Sequence, residues 1–213
     1  MSGTPVLVLG AGTFAIETLE AAELAGGFRP LGFVVSDTAA VPALHAGLPV
    51  YHSDAIPAEC RGARMIGGIV TNRRRPFIEG LEARGWQFTS VVHPRAIVSP
   101  RAVIEEGAFV GAGAIVASHA HIGRHVLLNR GSNIGHDVRL HPFVTVSPGA
   151  TLAGAVQVGA GAYIGVGAAI RDHLSIGAGA VIAAGAVVVK PVDSNVMVAG
   201  CPAVVMKRGV DGL

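Results

Sequence analysis

The strongest chemical signal in this sequence is a pair of adjacent side chains, His136 and Asp137. Neutral imidazole is the side chain best matched to taking a proton near pH 7. A carboxylate beside it can hold the ring and stabilise the imidazolium that forms. The pair reads as a general base with its supporting acid, although a lone histidine on a surface is ordinarily just a solvated group. A second candidate site is Gly10-Ala11-Gly12-Thr13-Phe14-Ala15, a GxGxxA turn. Its glycines would let backbone N–H groups approach a phosphate, and a helix N-terminus behind them favours an anion. Gly10, Gly12 and Thr13 are the expected phosphate contacts, and Asp37 stands where a ribose hydroxyl or base is commonly held. The same turn also serves as a plain strand–helix connection. Six of the nine histidines (His119, His121, His125, His136, His141 and His173) lie after residue 93, which invites a metal reading. Cys60 and Cys201 have no base beside them in sequence and read as structural.

What must position His136 is a repeat. Taking every sixth residue from Val98 to Val188 gives sixteen consecutive Val, Ile or Leu. The position four further on, from Ala102 to Val192, is small or aliphatic throughout. Neither a helix of period 3.6 nor a flat strand of period 2 keeps such a set facing one way. A coil with flat faces does, if each face takes one hexad. Hexapeptide repeats are the signature of a parallel β-helix. Three hexads close a triangular coil of about eighteen residues, so sixteen hexads give about five coils. The aliphatic position points into the prism and the small one fills its corner. His136 falls two residues after inward Ile134, so it points off the prism and is not core. Periodicity leaves the hand of the coil open, and the usual crossover rule would favour the right hand.

The turn at Gly10 sits in a different kind of fold. Pro5 to Leu9 and Leu31 to Val35 read as buried strands, as do Arg64 to Val70 and Gln87 to Val92. Phe14 to Leu24 and Arg75 to Arg84 read as helices, the second stopped by Gly85. Strands alternating with helices give a small Rossmann-like parallel α/β domain over residues 1–93. Its size suits a mononucleotide or nucleotide-sugar better than a dinucleotide. Residues 94–213 form the β-helix domain, and the tail after Pro191 is expected to cap the open end of the prism. The fold class is thus α/β followed by β.

Composition narrows the partners. The chain has 213 residues, a net charge of +2 and 14% charged residues, so no nucleic-acid or membrane-surface field is implied. Two cysteines are too few for a disulfide framework and favour a reducing, cytoplasmic setting. The apolar start lacks a basic leader, and no uninterrupted apolar run is long enough to span a membrane.

The layout resembles the hexapeptide-repeat sugar acyltransferases of the sialic-acid O-acetyltransferase and bacillosamine and perosamine N-acetyltransferase type. The resemblance rests on Asn129 to Asp137 (NRGSNIGHD), Ser147-Pro148-Gly149-Ala150 with Ala153-Gly154, the ending Ala199-Gly200-Cys201-Pro202-Ala203, and the entry Val92-His93-Pro94-Arg95-Ala96. It implies a left-handed β-helix, a homotrimer, and acetyl-CoA lying between neighbouring β-helices. It implies transfer to a nucleotide-linked amino sugar held by the N-terminal domain, with transfer to a sugar hydroxyl as the alternative. His136 would be the catalytic base and Asp137 would raise its basicity. Gly10, Gly12, Thr13, Asp37, Ile69 and Asn129 would contact the sugar-nucleotide. Thr145, Gly154, Gly165, Val166, Ala184 and Lys190 would line the donor groove. No metal is implied. Three departures stand out: Thr13-Phe14 where the family's first loop carries a histidine, Ile69-Val70-Thr71-Asn72 where it has Ile-Gly-Asp/Asn, and Thr145 where a second histidine often lies near acetyl-CoA. The γ-class carbonic anhydrases share the β-helix, and His136-x4-His141 resembles their zinc ligands. Their third ligand would fall two coils before His136, where Pro100 stands, and Ser118 stands one coil before it, so a zinc enzyme of this kind is the second alternative.

Overall fold

The computed structural model describes residues 3–36, 43–72 and 74–212 of the chain, so expected contact Asp37 lies outside the described residues. The chain divides into two compact units, one ending at Pro94 and the other beginning at Arg95.

In the first unit, β1 (Thr4–Leu9) is the central strand, and Val6 to Leu9 are fully buried. It runs parallel to β2 (Phe28–Val35) on one side and to β5 (Arg64–Gly67) on the other. The β1–β2 register slips by one residue between Val6 and Leu7, next to Pro30, which has no N–H to give the ladder. Helix α1 (Thr13–Ala25) follows β1 and buries Ala15, Leu19 and Ala22, which recur at helical spacing. It ends at Gly26, whose φ of 71° few other residues adopt without cost. Helix α2 (Arg74–Ala83) buries Ile78 and Leu81 and stops before Gly85, as the sequence predicts.

Two features differ from the expected strands. A hairpin of β3 (Leu44–His45) and β4 (Leu48–His52) extends the sheet beyond β2, giving the order β3-β4-β2-β1-β5. Its turn puts Ala46 and Gly47 at φ 48° and 78°, the mirror-image geometry that suits a tight hairpin. The half-buried run LPVYH, with Pro and His inside it, lacks the apolar signal of the other strands. The strand expected over residues 87–92 reduces to a single bridge, Met65 to Phe88, and the short strand Val91–Val92.

The second unit is a left-handed parallel β-helix. Two-residue strands recur every six residues from Ile97–Val98 to Val187–Val188. Each pairs in parallel with the strand eighteen residues away, as Ile115 does with Ile97 and Asn133. Three sheets result, one per face of the prism. The inward aliphatic residues from Val110 to Val188 are all buried, while Val98 and Ile104 of the first coil are half-buried. The corner residues from Ala108 onward are buried as well. Every corner turn from Gly107 to Gly185 takes one residue into the left-handed region, again at intervals of six. Eight of these are glycines; the other six are His119, His125, Asp137, Phe143, Ala155 and His173.

The tail, expected as a cap, continues one sheet of the prism. Val196–Gly200 lies parallel to Val181–Ile182 and then turns back as an antiparallel hairpin with Ala203–Arg208. Among the described residues no helix is long and apolar enough to cross a membrane.

Candidate active site

The corner that follows Asn133–Ile134 is clamped from both sides. The Asp137 N–H donates to Ser118 O at 3.1 Å in the coil before, and the Ala155 N–H donates to His136 O at 2.8 Å from the coil after. Asp137 is the left-handed residue of this corner, with φ 58°. Aspartate is among the few non-glycine residues that enter this region readily. The conformation brings its carboxylate back to the preceding ring, and His136 Nδ1 lies 2.8 Å from Asp137 Oδ2. An ionised carboxylate can only accept, so Nδ1 carries the proton and donates it. The second ring nitrogen, Nε2, is then left with its lone pair. That hydrogen bond, together with the nearby His136, His119 and Arg139 charges, holds the Asp137 carboxyl below the usual carboxylate range. Both side chains are more than half exposed, so the imidazole is open to solvent and to a docking ligand.

Gly154 is the residue that keeps the Nε2 side open. It stands one coil above His136, and a Cβ there would lie 2.5 Å from Nε2. The expectation assigned Gly154 to the donor groove; the structure sets it against the His136 ring. His119, which the site expectation did not include, also belongs here. It is the left-handed corner residue one coil before Asp137, with φ 60°, and its Nδ1 lies 4.0 Å from Asp137 Oδ1. The eighteen-residue offset between His119 and Asp137 was the available signal, because one coil in sequence is one step in space.

The remaining expected residues separate into groups. Gly10, Gly12, Thr13 and Ile69 line one pocket of about 300 Å³ in the first unit, together with Ala11, Phe14, Gly68, Val70 and Thr71. Gly10 has φ 87°, and a Cβ on it would press to 2.8 Å from Ile69 Cγ1. Gly68 closes β5 against α1: a Cβ there would meet Leu9 O at 2.4 Å and Ala15 Cα at 3.0 Å. Gly12 is the N-cap of α1 without a side-chain cap, and nothing lies within 4 Å of where its Cβ would be. Beside this pocket the buried Arg74 guanidinium donates to the carbonyls of Val70 and Thr71 at 3.0 and 3.4 Å, and burial lowers its pKa to about 10.

In the β-helix, Val166 and Ala184 are exposed and stand one coil apart on the same corner. Gly165 backs onto the next coil, where a Cβ would meet Ala184 N at 2.6 Å. That corner and the His136 corner are different ones; the face built by Asn133–Ile134, Thr151–Leu152 and Ala169–Ile170 lies between them. Thr145 is buried on another face, paired with Leu127 and Tyr163. Asn129 is buried as well, and its Nδ2 donates to Val146 O at 3.3 Å. Lys190 lies beside a groove of about 270 Å³ lined by Val188, Val192 and Val204. His141 belongs to the corner after the one bearing His136 and lines a separate groove with His121 and Arg139. Among the described residues no three His, Cys, Asp or Glu side chains gather as they would around a metal.

A small α/β unit, a hexapeptide β-helix and an imidazole–carboxylate pair on a corner of that helix define an acyltransferase-type architecture. No protein-family model matches the chain, and no curated protein sequence matches it. Solved structures do. Perosamine N-acetyltransferase from Caulobacter crescentus, a histidine-to-asparagine variant in complex with CoA and GDP-perosamine, is 30% identical with a TM-score of 0.85, covering 95% of this chain and 97% of that one. The acetyltransferase domain of PglB from Neisseria gonorrhoeae, in complex with acetyl coenzyme A, is 31% identical with a TM-score of 0.86, covering 96% and 100%. WeeI from Acinetobacter baumannii is 27% identical with a TM-score of 0.83, covering 94% and 99%. The chain belongs to the hexapeptide-repeat sugar acyltransferases.

Proposed function

We propose that the protein is an acetyl-CoA-dependent N-acetyltransferase acting on a nucleotide-linked amino sugar. The observation that carries this reading is the geometry of His136: Nδ1 held by Asp137, Nε2 left free and cleared by Gly154. Solved relatives hold acetyl coenzyme A, or CoA with GDP-perosamine, which supports both substrate classes. In the Caulobacter enzyme a histidine was changed to asparagine and to alanine, and both variants hold CoA and GDP-perosamine. That is the behaviour of a group used for chemistry more than for binding.

The sugar presents a neutral amine to the thioester carbonyl. As the C–N bond forms, His136 Nε2 accepts the proton that the nitrogen gives up, so no ammonium accumulates. The tetrahedral intermediate collapses, the C–S bond breaks, and CoA thiolate leaves and recovers the proton from His136. Asp137 stabilises the imidazolium between these two proton transfers. No acyl-enzyme is required, so transfer is direct within a ternary complex.

The nucleotide and its phosphates go to the pocket at Gly10, Gly12, Thr13 and Ile69. The donor runs along the β-helix past Gly165, Val166 and Ala184, with Lys190 available to a CoA phosphate and Thr145 and Asn129 as supporting positions. The working unit is a homotrimer with acetyl-CoA between neighbouring β-helices, and equilibrium sedimentation at assay concentration tests that. The decisive experiment assays acetyl transfer to a panel of nucleotide-linked amino sugars with wild type and His136→Ala. General-base catalysis is worth roughly 10² to 10⁴ in rate, so the variant loses that much kcat while its affinity for acetyl-CoA is unchanged. Near-wild-type turnover at neutral pH would remove His136 from the mechanism.

A further inference from the structure

Asp137 does not serve His136 alone. Its two oxygens face two histidines: Oδ2 lies 2.8 Å from His136 Nδ1, and Oδ1 lies 4.0 Å from His119 Nδ1. The second distance is an ion-pair distance, not that of a hydrogen bond. Both His119 and Asp137 are left-handed corner residues, at φ 60° and 58°, so the β-helix repeat itself stacks one above the other. On the other side of Asp137 the same register holds Ala155. Of the two neighbours in this column, only His119 can place a charge against the carboxylate.

We propose that His119 is a positioning residue of the same site: from one coil earlier it shares the Asp137 carboxylate with His136 and, when protonated, keeps the base unprotonated on the acid side of neutrality. The inference rests on His136 as the base. A positive His119 neutralises part of the field that Asp137 exerts at the His136 ring. Imidazolium at His136 then gains less from its partner, and two cations would share one carboxylate. Positive charge on one ring therefore opposes positive charge on the other. The other charged groups around this corner are fixed cations at neutral pH or stand further off. Arg139 follows Asp137 by two residues and adds to the positive field on it. Arg101 occupies the register of His119 one coil earlier. Asp172 and His173, 3.8 Å from each other, stand two coils above His136 and Asp137. Beneath the corner, Ser118 Oγ lies 3.3 Å from Ser99 Oγ and carries no charge.

The test uses full-length protein with His119→Asn, a neutral residue that tolerates the left-handed corner, and His119→Lys, a fixed cation. Two readouts are compared: the acid limb of the pH profile of kcat/KM for the sugar-nucleotide, and the NMR titration of the His136 ring without substrate. Both side chains are exposed, so the expected shifts are about half a pH unit or less. The limb moves up in the Asn variant and down, by a smaller step, in the Lys variant. The gap closes in about 1 M salt, where screening acts within a few ångströms. Coincident limbs in all three proteins, or a shift of the same sign in both variants, would overturn the proposal. A His136 titration that moves while the activity limb stays put would instead remove His136 as the base and leave the coupling standing.

Discussion

The corner at His136 and the turn at Gly12 are both sharp irregularities at the end of a short parallel strand, yet they offer opposite parts of the chain to a ligand. At the corner the Asp137 N–H is taken by the coil before and the His136 carbonyl by the coil after, and what projects outward for chemistry is a pair of side chains. At the turn the backbone comes to the surface. Gly10, Ala11 and Gly12 line the pocket with little beyond backbone, ahead of the α1 N-terminus. Under the proposed function, the repeating prism gives the base a rigid edge and the strand–helix turn gives the phosphates a surface. The two regions should fail differently when altered.

The largest effect is expected from the prism core. Ile164 is fully buried, and Ile164→Asp places a carboxylate where nothing can pair it. The cost is several kcal/mol, on the order of the stability of a whole domain. Cooperative melting of the β-helix should disappear, and acetyl-CoA binding with it. A melting curve matching wild type would break the register on which His136 was placed.

A smaller but still large loss should follow from Gly154→Val. The backbone at Gly154 does not require glycine by its φ, so the harm is steric: the new Cβ would sit 2.5 Å from His136 Nε2. The ring must turn away, and Nε2 loses its place above the corner. A fall in kcat of about 10², the low end of general-base catalysis, is expected with little change in melting temperature. If activity survives, the base works from the other side of its ring.

These two positions show why the two regions differed in how much could be read from sequence. The prism was legible because sixteen hexads repeat one instruction, and a single phase places every residue inward, at a corner or outward. Even so, the contact of Gly154 with His136 went unread, because it is a step between coils and not a neighbour in the chain. His119 went unassigned for the same reason. The α/β unit offers no repetition. β4 is held by pairing with β2, and β3 by pairing with β4 across a tight turn, with half-buried residues in β4 that give no apolar run. Gly68 likewise looks like any loop glycine until α1 is packed against it.

The third effect is at Asp137. Its carboxyl is held below the ordinary range, so the support it gives is fully present above the ordinary carboxylate pKa and is lost only as pH falls through the lowered value. Across pH 5 to 8 the group stays ionised, and an acid limb in that window belongs to imidazole. Asp137→Asn keeps an acceptor for Nδ1 and tolerates the left-handed φ, but removes the charge. About a tenfold loss of kcat is expected, less than for His136→Ala, with the acid limb moved to lower pH. An unmoved limb would mean that the carboxylate orients the ring without changing its basicity.

The smallest effect tests the turn. Gly12 has an ordinary φ of −91°, and the space around its absent Cβ is empty, so Gly12→Val should fold normally. What the valine does is fill part of the pocket of about 300 Å³ that Gly12 shares with Gly10, Thr13 and Ile69. If that pocket takes the nucleotide, KM for the sugar-nucleotide rises by roughly tenfold, the value of one lost or blocked polar contact. KM for acetyl-CoA and the pH profile stay as in wild type, since the substitution is confined to the binding turn and leaves the catalytic corner alone. Equal rises in both KM values would mean that the turn serves the fold and not the acceptor. The contrast between a side-chain edge and a backbone surface would then hold for only half of the molecule.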